Sequence, residues 1–252
     1  MKIFFLCLAF SFLLPSCGGE KNVEGGQKGQ IEDQKSLAIA SIYRRNFQQA
    51  LEDIQIAEKI NEDDAEVHLI KGLIFLGLKD YNQAEASFKR SIGINSKYSE
   101  ARYNLCVIYL KVDKYDLAIE QCSLASSDIL YRSRDKAFTS LGVAYFRKGE
   151  TAKAKESYDK ALELNPAFVY THNELGKLYM STGKHQLAIE EFKRAVIGYE
   201  FYDEAYYNLG VAYLQMGQTR EACDAFSRVV EISSWSEYGV NAKNYLSSIC
   251  KE

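Results

Sequence analysis

The side chains in this sequence that could carry out chemistry are few and scattered. Three histidines occur, His68, His172 and His185. No two stand four residues apart on one helix, the spacing that would aim both imidazoles at one metal ion. The acidic runs Glu62-Asp63-Asp64 and Glu190-Glu191 read as solvated loops and helix faces rather than as paired acid–base carboxylates. The sequence has no phosphate-cradling glycine loop, no Gly-x-Ser-x-Gly turn and no Cys-x-x-Cys pair. The expectation is therefore a chain with no catalytic residues, no metal site and no cofactor. What remains is cysteine: Cys17 near the start, then Cys106, Cys122, Cys223 and Cys250.

Composition narrows the partners. A net charge of −3 and a pI near 5.8 argue against nucleic acid, which calls for a basic surface. Hydrophobic residues make up 47% of the chain, enough for a sizeable core. Only Pro15 and Pro166 are prolines, so little interrupts helices.

The elements that position the cysteines form a repeat. Ala50, Ala84, Ala118, Ala154, Ala188 and Ala222 are each followed four residues later by Ile54, Phe88, Cys122, Tyr158, Phe192 or Phe226. Twelve residues before each alanine stands a small residue: Ala38, Gly72, Cys106, Gly142, Gly176 or Gly210. An aromatic follows three residues after most of these: Phe75, Tyr109, Tyr145, Tyr179 and Tyr213, with Ser41 in the first unit. The period is 34 residues, lengthened by two between the third and fourth units. This predicts six helix–turn–helix units at 31–64, 65–98, 99–132, 135–168, 169–202 and 203–236. Small residues let two helices approach, and aromatics fill the gap to the next pair, so the units must stack. Residues 237–252 read as a capping helix whose Val240, Tyr245, Leu246 and Ile249 cover the last unit.

The small–aromatic–alanine pattern resembles the tetratricopeptide repeat (TPR), which implies an all-α superhelical solenoid. Position within the hairpins also sorts the cysteines. Four cysteines allow three pairings. Cys106 and Cys122 face each other at one height within the third hairpin. Cys223 begins the second helix of the sixth unit, and Cys250 ends the antiparallel cap beside it. Disulfides Cys106–Cys122 and Cys223–Cys250 are expected, with buried free thiols as the alternative.

The N-terminus carries Met1-Lys2, an apolar run from Ile3 to Leu14, then Leu14-Pro15-Ser16-Cys17-Gly18. The run is too short to span a bilayer and reads as a signal peptide, residues 1–16. The junction resembles a bacterial lipobox, which implies a lipid on Cys17 and, with Gly18 next, the outer membrane facing the periplasm. Residues 17–30 are rich in glycine and polar residues and are expected to be a flexible tether.

TPR solenoids bind partners on the concave face of their first helices, and the resemblance implies a groove here. Its positions are filled by Leu69, Leu73, Leu76, Tyr103, Val107, Leu110, Val143, Phe146, Met180, Tyr207, Val211 and Leu214. Ile39, Ile42 and Lys177 occupy equivalent positions in the first and fifth units. A row that is polar in the familiar pattern is mostly hydrocarbon in this chain, which suits an amphipathic or extended apolar protein segment. The Lys/Asn pattern that clamps a C-terminal carboxylate is missing.

A lipobox, a short tether, six repeats and a cap are similar to the type IV pilus biogenesis/stability lipoproteins. The lengthened junction Asp128-Ile129-Leu130-Tyr131 and a cysteine pair within one hairpin share in the resemblance. It departs at Tyr103-Asn104-Leu105-Cys106, where many members carry Asn-Asn-Tyr-Gly. The resemblance implies a pilotin, an outer-membrane lipoprotein that helps the secretin subunit reach the membrane and oligomerise. The partners expected are thus a protein and, through Cys17, the membrane, with no small-molecule substrate. A general periplasmic scaffold for envelope enzymes or proteases is the alternative.

Overall fold

The structure, a computed structural model, describes residues 20–250. The apolar run and Cys17 lie outside the described residues. Among the described residues there are thirteen α-helices and no strand. Six hairpins come first: α1 (Glu20–Tyr43) with α2 (Phe47–Ile60), α3 (Ala65–Gly77) with α4 (Tyr81–Ile94), and α5 (Ser99–Lys111) with α6 (Tyr115–Ser127). Then follow α7 (Arg134–Arg147) with α8 (Thr151–Leu164), α9 (Val169–Ser181) with α10 (His185–Gly198), and α11 (Asp203–Gln215) with α12 (Thr219–Ser233). A last helix, α13 (Glu237–Ile249), packs on α12. Each odd-numbered helix also touches the next odd-numbered one, which makes a continuous inner row from α1 to α13.

The repeat is written in the backbone as well as in the side chains. Each hairpin turn holds one residue in the left-handed region: Arg45, Lys79, Asp113, Gly149, Gly183 and Gly217, with φ between 57° and 80°. The next residue's N–H then donates to the carbonyl five residues back, as from Asp80 to Phe75 and from Gln218 to Tyr213, each at 2.9 Å. This Schellman closure satisfies carbonyls that the first helix leaves free and reverses the chain in three residues. Side-chain caps start several helices. Asp64 Oδ1 accepts from the N–H groups of Glu66 and Val67 at 2.8 and 3.2 Å, and Ser236 Oγ from Gly239 at 3.1 Å.

Within each hairpin the small residue of the first helix receives the large residue sixteen positions on. A Cβ on Gly176 or Gly210 would fall 2.5 Å from the Phe192 ring or 2.7 Å from the Phe226 ring. These aromatics are fully buried. In the third hairpin a covalent bond takes over this contact: Cys106 and Cys122 form a disulfide with Cα atoms 5.4 Å apart. A second disulfide joins Cys223 to Cys250, Cα atoms 5.8 Å apart, and ties α13 to α12.

Two expectations about the ends need correction. The segment read as a flexible tether is helical from Glu20, because α1 runs back well past the buried Ile31. Gly26 to Gln30 are exposed and touch nothing that a Cβ at Gly26 or Gly29 would meet. The extension is held by its own backbone ladder, which grows cheaply from an already packed turn. In α13, Val240 is 50% exposed and Ile249 also faces outward. Gly239 and Ala242 are the buried contacts, flanked by Tyr238, Tyr245 and Leu246. Close approach of α13 to the end of α12 requires small residues, and a Cβ on Gly239 would collide with the Ser233 carbonyl.

Candidate protein-binding groove

The inner row presents the groove positions read from the sequence, and packing divides them into three groups. Leu69 is only 7% exposed and belongs to the core with Leu105 and Leu141. It is a correction to the expected groove wall: this side chain points between neighbouring inner helices. The same holds for Thr139, which hydrogen-bonds Thr171 at 2.6 Å in the interior, and for Asn173, whose Oδ1 accepts from Asn208 at 3.0 Å. Tyr207, Val211 and Leu214 pack against the core under α13. Tyr207 lies 5.4 Å from Tyr238 and 6.2 Å from Tyr245, and Phe226 stacks on Tyr245 at 4.6 Å. The cap thus covers Tyr207 at the C-terminal end of the groove, whereas Val211 and Leu214 are half-buried like the positions nearer the N-terminus.

The open part lies toward the N-terminus. Leu73, Leu76, Tyr103, Val107, Leu110, Val143, Phe146 and Met180 are half-buried. Each rests one side on the core and turns the other to the concave face. Ile39, 37% exposed, joins Ile42, Leu73 and Leu76 around an open pocket of about 470 Å³. Arg45 of the hairpin turn also lines it, and Tyr43, Phe47 and Gly77 complete it. Those three were not among the residues read from sequence. A signal was present: Gly77 stands where the first unit has Tyr43, and the Phe47 ring from the neighbouring hairpin lies on it, so that a Cβ there would collide with the ring.

Charges punctuate the apolar row and are paired. Lys35, buried, donates to Glu66 at 2.7 Å and Asp64 at 3.4 Å, and also meets Glu32 at 2.7 Å. Burial works against its charge, but the bonds to Glu32 and Glu66 outweigh it and hold the ammonium above its ordinary pKa. Lys177 bridges Glu174 at 2.5 Å and Glu204 at 3.0 Å. Desolvation disfavours its charge, and the two carboxylates more than restore it. The groove floor therefore offers hydrocarbon between neutralised ion clusters, with Arg45 beside the N-terminal pocket as a charge outside those clusters.

Two of the three histidines have structural work. His68 Nε2 and His172 Nε2 meet the carbonyls of Glu62 and Pro166, each six residues upstream, at 2.8 and 2.9 Å. Arg102 makes the same bond to Ser96 at 2.8 Å. The fourth position of an inner helix thus pins the loop that leads into it. His172 Nδ1 lies 2.6 Å from Glu191, so both ring nitrogens are engaged. Among the described residues no group of three or more His, Cys, Asp or Glu is gathered as for a metal. No described helix is long and apolar enough to cross a membrane.

The family model described as TPR repeat matches residues 142–183 and 176–217, and those described as tetratricopeptide repeat match 36–99 and 204–232. The chain is a tetratricopeptide-repeat protein. It is homologous to the type IV pilus assembly protein PilF of Pseudomonas aeruginosa, 25% identical over 150 residues, which is 58% of this chain and 60% of PilF. Against the BBSome complex member BBS4 of Bos taurus it is 27% identical over 172 residues, 64% of this chain and 32% of BBS4. In both alignments the TPR chain spans less than two thirds of the relative's length.

Solved structures extend the likeness in fold. The PilF structure superposes with a TM-score of 0.76 at 18% identity, covering 87% of this chain and 99% of PilF's. That of PilW, described as a widely conserved type IV pilus biogenesis factor, gives 0.77 at 18% identity and covers 84% and 98%. TPR families are protein-interaction scaffolds, and the groove of this TPR chain has the shape and apolar lining that such a role needs.

Proposed function

We propose that this TPR protein is an outer-membrane lipoprotein, anchored through Cys17 and facing the periplasm, that assists type IV pilus biogenesis as a pilotin. It binds the secretin subunit in its groove and promotes that subunit's localisation and ring assembly. The observation that carries the reading is the sequence match to PilF, supported by a fold correspondence that takes in nearly all of PilF and PilW. The two disulfides are consistent with a compartment outside the cytosol, where such bonds persist. Its task on this reading is binding, not catalysis.

The groove offers Ile39, Ile42, Leu73 and Leu76 around one pocket. An apolar segment of the secretin, laid as an amphipathic helix or an extended strand, has its anchors accepted there. The test is co-purification of the secretin subunit with wild-type chain and with Ile39→Asp and Val107→Asp variants. Both side chains lie outside the buried core, so the fold survives. Loss of the secretin from both variants, with unchanged thermal unfolding, is expected. Undiminished capture by both would place the binding site elsewhere.

A further inference from the structure

The two edges of the solenoid differ in chemistry. At one edge lie the six hairpin turns, which carry charges such as Arg45, Lys79, Asp80, Asp113, Lys114 and Lys184. At the other edge lie the junctions that lead from each hairpin into the next. The first two junctions are polar, Asn61 to Asp64 and Asn95 to Lys97. The third exposes Ile129 at 79% and Leu130 at 85%, the fifth Phe201 at 55% with Ile197 at 82% at the end of α10, and the sixth Trp235 at 85%, while Leu164 and Tyr170, exposed at 47% and 51%, flank the fourth.

The lengthened third junction creates part of this rim. Asp128 absorbs the extra residues in a tight turn, its carboxylate accepting from the Leu130 N–H at 3.0 Å and the Ser99 hydroxyl at 2.5 Å. Ile129 and Leu130 are left at its tip. Rings link later junctions: Tyr170 lies 5.4 Å from Tyr202, and Tyr199 lies 6.3 Å from Phe201. Large exposed apolar stretches of this kind mark contact surfaces.

Helix polarity says what faces them. Every inner helix begins at this junction edge, because the hairpins are antiparallel and stacked in parallel copies. So does α1, whose extra segment Glu20–Gln30 projects past the first junction by roughly 16 Å at 1.5 Å per residue. The chain therefore enters the solenoid from the apolar edge.

We propose that this rim, from the third junction to Trp235, rests in the interfacial layer of the bilayer that carries the anchor. The inference rests on the lipid-anchor reading of Cys17. The α1 extension acts as a strut that lifts the polar first two junctions. The apolar junctions at the far end lean onto lipid, and Trp, Tyr and Phe settle at headgroup depth as amphipathic rings do. Charges beside them are mixed, Arg132 two residues after Leu130 and Glu200 next to Phe201, so insertion of hydrocarbon rather than attraction to anionic lipid drives the contact. The concave groove is left facing sideways, open to a partner in the aqueous space.

Trp235 is the only tryptophan, so its fluorescence reports this contact without labelling. The full-length chain, purified from membranes in detergent, is reconstituted into phosphatidylethanolamine–phosphatidylglycerol vesicles with and without bromine on the acyl chains. Flotation reads the anchor, and Trp235 quenching reads the rim. The expected result is flotation with a blue-shifted emission quenched by brominated lipid, both unchanged on adding salt. A Leu130→Asp/Phe201→Asp variant, altered only at exposed sites, is expected to float yet lose most of the quenching. Flotation of the wild type without quenching overturns the rim contact while leaving the anchor intact, and would make the rim a surface for protein. Failure to float overturns the anchor reading and this inference with it.

Discussion

At Tyr158 a phenol stands where neighbouring hairpins have Phe88, Phe192 and Phe226, and its hydroxyl is buried with no hydrogen-bond partner. Burial holds that hydroxyl far above its ordinary pKa, so it stays neutral and simply unsatisfied. Tyr158→Phe is expected to raise stability by about 1 kcal/mol, the cost of one unmade buried hydrogen bond. Denaturant titration checks this, and an unchanged or lower midpoint would mean that a water or neighbour serves the hydroxyl. Gly149, at φ 80°, makes the reverse case. Gly149→Ala should cost about 1 kcal/mol, since a Cβ is disfavoured in the left-handed region and nothing there relieves it. The glycines and aromatics were legible in the sequence because the repeat exposes them by register. The pinning role of His68, His172 and Arg102 was not, because it depends on carbonyls that only the folded junction brings within reach.

Helices and their links set the next scale. The Cys223–Cys250 bond fastens α13 over Tyr207 and Phe226. Reducing it should lower stability by about 3 kcal/mol through the regained freedom of the unfolded loop. It should also raise hydrogen exchange first in α13, whose removal bares the end of the groove. Exchange that rises evenly along the chain would contradict this order. Between α4 and α5, Glu85 accepts from Tyr109 at 3.0 Å and pairs with Lys89 at 2.6 Å. The Lys89 bond holds its carboxyl below the usual range against the opposing effect of burial. A carboxyl lowered in this way stabilises the fold above its ordinary pKa and loses that contribution as pH falls through the lowered one. Glu85→Gln should therefore flatten the acid limb of the stability profile in denaturant titrations across pH, and flatten the alkaline limb too, because the Glu85 bond holds the Lys89 ammonium above its ordinary pKa. The cap was legible as a helix. Of its contacts, Tyr245 and Leu246 were legible from apolar spacing, but that spacing also favoured Val240 and Ile249, whereas close approach to α12 selects Gly239 and Ala242. The α1 extension was hidden for a related reason. Composition describes what a segment does alone, and a neighbouring packed helix changes that.

For the whole molecule, the inner row of hairpins makes one groove, capped by α13 at one end and open around Ile39, Ile42, Leu73 and Leu76 at the other. The stacked helical hairpins of the all-helical solenoid follow from a period that the sequence displays plainly. The extent of the free groove does not, because whether Leu69 lines a wall or fills a core depends on how tightly α3 meets α5. Nor does the period identify the partner, since TPR chains with unrelated names match this one at similar identity. As proposed above, this chain assists assembly of the type IV pilus secretin. The most direct test is the abundance of secretin multimers on unboiled gels from cells with the gene, without it, and with Ile39→Asp in its place. The expected result is that multimers fall and monomer accumulates in the second and third strains. Multimers at wild-type level in the strain without the gene would contradict the claim.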